Sequence, residues 1–184
     1  NIRETDAIIH VLRCFDDENV VHVDGSVNPI RDKEIIDTEL QMKDLETVEA
    51  RIVKTEKQAK AGGDKHAKAI LEVLLRYKEA LSQGKNARSV VLNNVDEEEI
   101  AKDLFLLTNK PVLYVCNVDE NSAVKGNIYV NQVIEAVKDE MAQVLIVAAK
   151  IESEISELET YEERQLFLEE IGLQESGVNR LIKS

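Results

Sequence analysis

The stretch Pro111-Val112-Leu113-Tyr114-Val115-Cys116-Asn117-Val118-Asp119-Glu120 decides the fold. Its first half is apolar, rich in β-branched and aromatic residues, and opened by a proline, which is typical of a strand buried on both faces of a parallel sheet. Polar residues begin at Asn117, where we expect the strand to end. Ligands of open α/β sheets bind at that end. Asn117 and Glu120 are therefore candidates for reading a flat heteroaromatic ring, although an asparagine after a strand is also a common turn residue.

Two further apolar runs, 7–15 and 144–149, predict buried strands on either side of this one in the chain. Helical patterns separate or follow them at 32–60, 64–84, 96–109, 130–141 and 152–171, and another helix begins at 177. We expect Asp96 and Glu99 to cap the third of these helices in a capping-box pattern. Strands that alternate with helices predict an α/β fold, with a mostly parallel sheet covered by helices on both faces.

The first two helical segments predict an antiparallel coiled-coil hairpin inserted between the first two strands. The turn at Gly62-Gly63 is short, so the helices on either side of it must run in opposite directions. Apolar or small residues recur at heptad spacing on both helices. These positions are Leu45, Val48, Ile52, Thr55 and Ala59 on the first helix, and Ala67, Ile70, Leu74, Tyr77 and Leu81 on the second.

Charge is distributed unevenly along the chain. The 184 residues carry a formal net charge of −13, yet segment 51–88 has ten Lys or Arg against four Asp or Glu. A basic hairpin on an acidic body suits contact with nucleic-acid phosphates, because neutralising phosphates releases counterions. The alternative is a solvated coiled-coil face whose lysines only maintain solubility. The candidate contact residues are Lys54, Lys57, Lys60, Lys65 and Lys68.

The sequence gives no evidence for several familiar kinds of site or segment. Cys14 and Cys116 are isolated in apolar runs, which indicates buried thiols in a reducing cytosol. Three scattered histidines without a companion cysteine give no metal site. We find no membrane span, signal peptide, nucleophile elbow, dinucleotide fingerprint or G-x-x-x-x-G-K-[ST] phosphate loop. The chain begins at Asn1 without a methionine, so we expect it to be a piece of a longer protein.

Seven segments together resemble the YchF/Obg-like ATPase family, and the resemblance covers nearly the whole chain in collinear order. Those proteins have a P-loop G domain, an inserted coiled-coil hairpin and a C-terminal TGS domain. The matching segments are Asn1-Ile2-Arg3-Glu4-Thr5-Asp6-Ala7-Ile8, Arg13-Cys14-Phe15-Asp16-Asp17, His22-Val23-Asp24-Gly25-Ser26-Val27-Asn28-Pro29, Thr38-Glu39-Leu40, Lys60-Ala61-Gly62-Gly63-Asp64, Asn117-Val118-Asp119-Glu120 and Gly177-Val178-Asn179-Arg180.

The resemblance implies a middle fragment of a three-layer P-loop-type G domain. Residues 1–30 and 96–184 would be parts of the G domain, and residues 31–95 the inserted hairpin. The phosphate loop and the Mg²⁺ ligands would precede this chain, and the TGS domain would follow it. The family further implies ATP with Mg²⁺ as cofactor, a ribosome or ribosomal RNA as partner, a cytoplasmic location without membrane contact, and a monomer.

The resemblance also implies a base-reading role for Asn117. Ordinary GTPases read guanine with N-K-x-D, whose aspartate accepts two guanine N–H groups, whereas this chain has Asn117-Val118-Asp119-Glu120. In this family the altered motif accompanies a preference for ATP over GTP. Asn117 would pair with adenine N6 and N7, while Phe15 and Val118 would pack against the base. The binding residues implied by the family are Asn117, Val118, Glu120, Phe15, Ala148 and Ala149. From the residues alone, core packing is the alternative for the apolar ones.

His22 is the implied catalytic residue. The family lacks the usual catalytic glutamine, and a neutral imidazole at the matching position can orient or deprotonate the attacking water. Because phosphoryl transfer also needs the phosphate loop and Mg²⁺, we expect this fragment alone to hydrolyse neither ATP nor GTP. Two rival functions are a non-catalytic module that presents the hairpin to RNA or a protein, and a phosphoacceptor domain built on Asp16 or Asp17.

Overall fold

A computed structural model describes residues 2–17, 26–62, 65–140 and 142–183. In chain order the strands and α-helices of these residues are β1 (Ile8–Arg13), α1 (Pro29–Gly62), α2 (Lys65–Ser82), α3 (Val95–Lys102), β2 (Val112–Asn117), α4 (Ile128–Val137), β3 (Gln143–Val147), α5 (Ala149–Glu157), α6 (Tyr161–Glu170) and α7 (Gly177–Lys183). Single 3₁₀ turns are formed by Ile2–Glu4, Ala87–Ser89, Leu107–Asn109 and Glu120–Ser122.

The three strands form one sheet in the order β1-β2-β3. β2 and β3 are parallel, with Asn117 opposite Val147 at the end of the pair. The amide of Ile8 donates to the carbonyl of Pro111 at 2.9 Å and the amide of Cys14 donates to that of Asn117 at 2.7 Å. The two bonds have the same sequence offset, as a parallel pair requires. The predicted α/β class with a parallel sheet is confirmed.

The chain divides into two compact units. One consists of Asn1–Ile8 and Glu34–Pro111, and the other of Ile9–Lys33 and Val112–Ser184. The sequence places an inserted hairpin at 31–95 between two parts of a G domain. That assignment of domains remains a prediction.

The core of the second unit lies under one face of the sheet. Its buried residues come from alternate positions of β1 and β2, and from α4, α5 and α6. They include Leu12, Cys14, Tyr114, Cys116, Val118, Val130, Val133, Val137, Ile151, Ile155 and Leu168. Of the described residues of β1, Leu12 is 1% exposed, whereas Ile9 is 53% and Val11 62% exposed. One face of β1 packs on the core and the other reaches the surface.

Two predicted helix boundaries are corrected by capping interactions. The single helix expected over 152–171 is two helices, because Thr160 caps a new one: its side chain accepts from the Glu163 amide, and the Glu163 carboxylate accepts from the Thr160 amide. Asp96 and Glu99 do not form the expected capping box. The cap of α3 is Asn94, whose side chain accepts from the Glu97 amide at 3.0 Å.

The core of the first unit is shared by α1, α2 and α3. Val48, Ile52, Leu74 and Tyr77 belong to one buried cluster, which α3 joins through Ile100. Leu81 belongs to the same cluster, so five of the predicted heptad positions are buried together. Whether α1 and α2 wind around each other as a coiled coil remains a prediction.

Asp44 is a fully buried carboxylate on α1 that holds the segment before β2 in place. One of its oxygens accepts from the Leu107 amide at 2.8 Å, and the other accepts from the amide and the hydroxyl of Thr108 at 2.7 and 2.8 Å. The Arg3 guanidinium lies 3.6 Å from the same carboxylate. A buried charge is tolerated only when hydrogen bonds and an opposite charge surround it, and Asp44 has both.

Replacing Asp44 with alanine is expected to lower the free energy of unfolding by about 3–5 kcal/mol, because three buried donors lose their acceptor and Arg3 loses its counter-charge. Urea unfolding followed by circular dichroism measures the change. The matched control is Glu46→Ala, whose side chain is 67% exposed and pairs only with Lys43 at the surface; it should change stability by less than about 0.5 kcal/mol. Equal losses in the two variants would contradict the buried role of Asp44.

Tyr77 is expected to make the free energy of unfolding of this core fall at high pH. Burial raises the pKa of Tyr77 from 10.0 to about 12, and its hydroxyl has no hydrogen-bond partner among the described residues. The folded state holds the hydroxyl proton of Tyr77 more tightly than the unfolded state. The contribution of this proton to the free energy of unfolding is therefore complete below pH 10 and is lost as the pH rises towards 12. Across this pH range the free energy of unfolding of wild type should fall by about 2 kcal/mol relative to that of Tyr77→Phe.

At neutral pH Tyr77→Phe should be as stable as wild type or up to about 1 kcal/mol more stable, since it removes a buried hydroxyl without a partner. The control is Tyr161→Phe at a side chain that is 71% exposed. Urea unfolding of the three proteins between neutral and alkaline pH tests the prediction. If the difference in free energy of unfolding between wild type and Tyr77→Phe stays constant with pH, Tyr77 is not the titrating group.

Candidate functional site

The carboxyl end of β2 lies between the ends of the other two strands. The carbonyl of Asn117 accepts from the Cys14 amide at 2.7 Å on the β1 side, and the Val118 amide donates to the carbonyl of Val147 at 2.9 Å on the β3 side. Residues that follow the three strands are thus brought to one edge of the sheet. This is the edge at which ligands of parallel α/β sheets bind.

The side chain of Asn117 is fixed across this edge. Its oxygen accepts a hydrogen bond of 3.0 Å from the amide of Ala149, the first residue of α5. The side chain is half-buried, so it is neither enclosed in the core nor fully solvated. With the oxygen directed to Ala149, the amide nitrogen retains two N–H donors for a ligand.

The loop after β2 is shaped by two polar residues that carry no role in the sequence-based prediction. Both oxygens of Asp119 accept from Ser122, one from its amide and one from its hydroxyl, each at 3.0 Å. Asn127 caps α4 by accepting from the Val130 amide, and its nitrogen donates to the carbonyl of Cys14 at 2.7 Å. An asparagine directly before an apolar helical pattern is the signal that identifies such a cap in a sequence.

Phe15 lies at the same edge, directly after β1, and is half-buried. The guanidinium carbon of Arg13 lies 4.9 Å from the centre of the Phe15 ring, and the Arg13 Nε donates to the Phe15 carbonyl at 3.1 Å. The hydroxyl of Tyr129 donates to Asp16 at 2.7 Å, and this hydrogen bond raises the pKa of Tyr129. The loop that carries Phe15 is therefore held in place from two sides.

The remaining predicted binding residues divide between core and surface. Val118 and Ala148 are each 4% exposed and belong to the core cluster of the second unit. Ala149 and Glu120 are exposed, and the Glu120 carboxylate forms an ion pair with Lys150. Asn117, Phe15, Glu120 and Ala149 are thus the predicted residues that present surface to a ligand.

Cys14 and Cys116 lie beside each other beneath this edge. Both are fully buried and neither forms a disulfide. The neighbouring sulfur and burial together raise the pKa of Cys14. The Cys14 thiol therefore stays protonated at neutral pH.

The other predicted residues lie elsewhere or outside the described residues. His22 falls in segment 18–25, which the structure does not describe. The five candidate lysines are all exposed, with three near the end of α1 and two at the start of α2. Lys60 lies 3.8 Å from Glu56, one helical turn away. Their exposure makes them available to a partner.

Neither a metal cluster nor a membrane segment is found in the part of the chain that the structure describes. No group of three or more His, Cys, Asp or Glu there is arranged to hold a metal ion. None of the helices there combines the length and the apolar character needed to cross a bilayer.

Comparison with known proteins finds relatives that match the whole chain. No family model matches the chain. The chain is 49% identical over 186 residues to the ribosome-binding ATPase YchF of Bacillus subtilis (strain 168), and the match covers all of the chain and 50% of that protein. The whole chain is thus similar to one half of a YchF protein. It is also 44% identical to the YchF of Escherichia coli O157:H7 and 38% identical to that of Mycoplasma genitalium, in each case across the whole chain and 50% of the relative.

A solved structure supports the same assignment. The Schizosaccharomyces pombe YchF GTPase aligns with 98% of this chain and 49% of its own length, at a TM-score of 0.85 and 28% identity. This chain therefore spans about half the length of the relatives it matches. The bacterial relatives are named ATPases and the yeast protein a GTPase, so the names alone leave the choice of base open.

Proposed function

We propose that this chain supplies the base-recognition half of a P-loop NTPase that binds and hydrolyses ATP in preference to GTP and associates with ribosomes in the cytoplasm. The observation that carries the proposal is the hydrogen bond between Asn117 and Ala149, which fixes an amide across the ends of β2 and β3. A purine laid on this edge can accept an Asn117 N–H at N7. Phe15 offers an aromatic surface nearby for stacking.

The N7 contact alone does not select a base, because adenine and guanine both carry an acceptor at N7. Discrimination between adenine and guanine depends on the protein groups that face the six-membered ring of the purine. Guanine needs a donor for O6 and an acceptor for its N1–H and N2–H groups. Adenine needs an acceptor for N6–H.

Three features of the edge disfavour guanine. The amide of Ala149 already donates to Asn117 and is not available for O6. Each oxygen of Asp119 already accepts one hydrogen bond from Ser122, which leaves fewer lone pairs for guanine than a carboxylate without partners would offer. The acid at the fourth motif position is Glu120, whose extra methylene places its carboxylate differently from the usual aspartate. The oxygen of Asn117 has a second lone pair that can accept from adenine N6–H.

Hydrolysis needs groups that we place outside this chain. The phosphate loop and the Mg²⁺ ligands are expected in the other half of the intact protein, where the metal would neutralise charge on the transferred phosphoryl group. His22 remains the proposed water-orienting residue. We infer that the chain by itself binds the base weakly and hydrolyses neither nucleotide.

Replacing Asn117 with alanine in the intact protein should weaken ATP binding by about tenfold, which corresponds to the loss of one or two hydrogen bonds to the base. Displacement of a fluorescent ADP analogue measures the affinity. The control, Asn131→Ala, removes an exposed asparagine of α4 and should leave affinity unchanged. Wild-type protein should bind ATP more tightly than GTP; markedly tighter GTP binding would refute the proposed base preference.

The proposed association with the ribosome rests on the exposed lysines of α1 and α2. Segment 51–88 is basic in a chain whose net charge is −13, so its lysines suit the phosphates of ribosomal RNA. An alternative function is a non-catalytic module that presents these helices to a partner. ATP binding that depends on Asn117 would count against this alternative.

Reversing four of these lysines to glutamate should weaken binding to ribosomes and flatten its dependence on salt, by roughly one unit of log–log slope for each phosphate that is no longer neutralised. Co-sedimentation at several salt concentrations measures both quantities. The substituted residues are Lys57, Lys60, Lys65 and Lys68. The control makes the same change of net charge at Lys43, Lys102, Lys125 and Lys138 and should bind as wild type does. If the first variant binds ribosomes as wild type does, these helices are not part of the interface with the ribosome.

A further inference from the structure

Two charged residues meet at the edge where we place the base. Glu120 follows β2 and Lys150 follows β3, and the Lys150 ammonium forms an ion pair with the Glu120 carboxylate. Their backbones are kept close by the hydrogen bond of 3.0 Å between Asn117 and Ala149. The carboxylate raises the pKa of Lys150, and Glu154 on the next turn of α5 adds to the effect, so the lysine is charged at neutral pH.

The ion pair reaches solvent. The side chain of Lys150 is 73% exposed and that of Glu120 is 47% exposed. An exposed pair of this kind is weak because water and salt screen it, so a ligand can displace it at a modest cost. The pair can therefore alter the relative affinity of two ligands without determining whether the loop folds.

The pair also changes what Glu120 can offer to a purine. A carboxylate without a partner can accept both the N1–H and the N2–H of guanine. A carboxylate that already accepts from an ammonium has fewer lone pairs available, and the neighbouring positive charge reduces its attraction for further donors. Adenine needs only a single acceptor, for N6–H, so it is affected less than guanine when Glu120 is paired.

We propose that Lys150 is a specificity-determining residue, which disfavours guanine by occupying the carboxylate of Glu120. This inference rests on the proposed function, because it requires a purine at the edge formed by Asn117 and Ala149. It assigns to Lys150 a role that the base-reading motif 117–120 does not contain. Selectivity then depends on an interaction between residues after two different strands.

The test compares ADP and GDP, which carry the same phosphates, by displacement of a fluorescent ADP analogue from the intact protein. Lys150→Met removes the charge but keeps an unbranched apolar stem that can still cover the base. The ratio of the GDP to the ADP dissociation constant should fall about threefold to fivefold in this variant, in line with an exposed ion pair. Lys150→Arg keeps the charge and should keep the ratio within about twofold of wild type.

Salt provides a second readout that a merely structural role would not change. Raising NaCl from about 0.05 M to about 0.5 M screens the ion pair, so the ratio should fall in wild type and stay constant in Lys150→Met. Because both ligands bear the same phosphates, their shared salt dependence cancels in the ratio. The control Lys125→Ala removes another exposed lysine of the loop before α4 and should behave as wild type.

A double-mutant cycle with Glu120→Gln isolates the pair. On the Glu120→Gln background the Lys150→Met substitution should no longer change the ratio. If Lys150→Met leaves the ratio unchanged while Asn117→Ala weakens both nucleotides, the role of Lys150 is refuted and the proposed base site stands. If Asn117→Ala leaves ADP and GDP binding unchanged, the base site itself is refuted, and the role of Lys150 with it.

Discussion

The hydrogen bond from the Ala149 amide to the Asn117 side chain is the interaction on which the proposed site depends. Together with the ion pair between Glu120 and Lys150, it joins the residues after β2 to those after β3. With it, the end of β2 and the start of α5 form one surface. The bond also fixes which end of the Asn117 amide is occupied, so the nitrogen becomes the end that can meet a ligand.

The supporting hydrogen bonds hold this edge in place through contacts within the chain. Asn127 joins the end of β1 to the first turn of α4, and Asp119 closes the turn after β2 on Ser122. Hydrogen bonds of this kind hold binding groups in position at no cost when the ligand binds. The same bonds occupy polar groups that a base could otherwise use. The fixed geometry of the edge and the selectivity that we propose for it therefore have the same origin.

Much of the fold could be predicted from periodicity, because the apolar runs of β1, β2 and β3 and the spacing on α1 and α2 are local patterns. Asn117 was found through its place at the end of a strand and through a resemblance to a known family. Lys150 was missed because its pairing with Glu120 joins residues thirty positions apart, which no local pattern encodes. The break between α5 and α6 was missed because the apolar residues of 152–171 suggest one continuous helix, while the capping box at Thr160 decides otherwise.

An acidic chain that is proposed to bind two polyanions, a nucleotide and ribosomal RNA, must attract them locally. At physiological ionic strength the field of an exposed charge fades over about 8 Å, so a net charge of −13 does not exclude either partner. What matters is the charge within a few residues of each bound phosphate or base. The lysines near the end of α1 and at the start of α2 supply that charge for RNA. In the proposed site Lys150 supplies it beside Glu120, where neutralising one carboxylate would shift the relative affinity for the two purines.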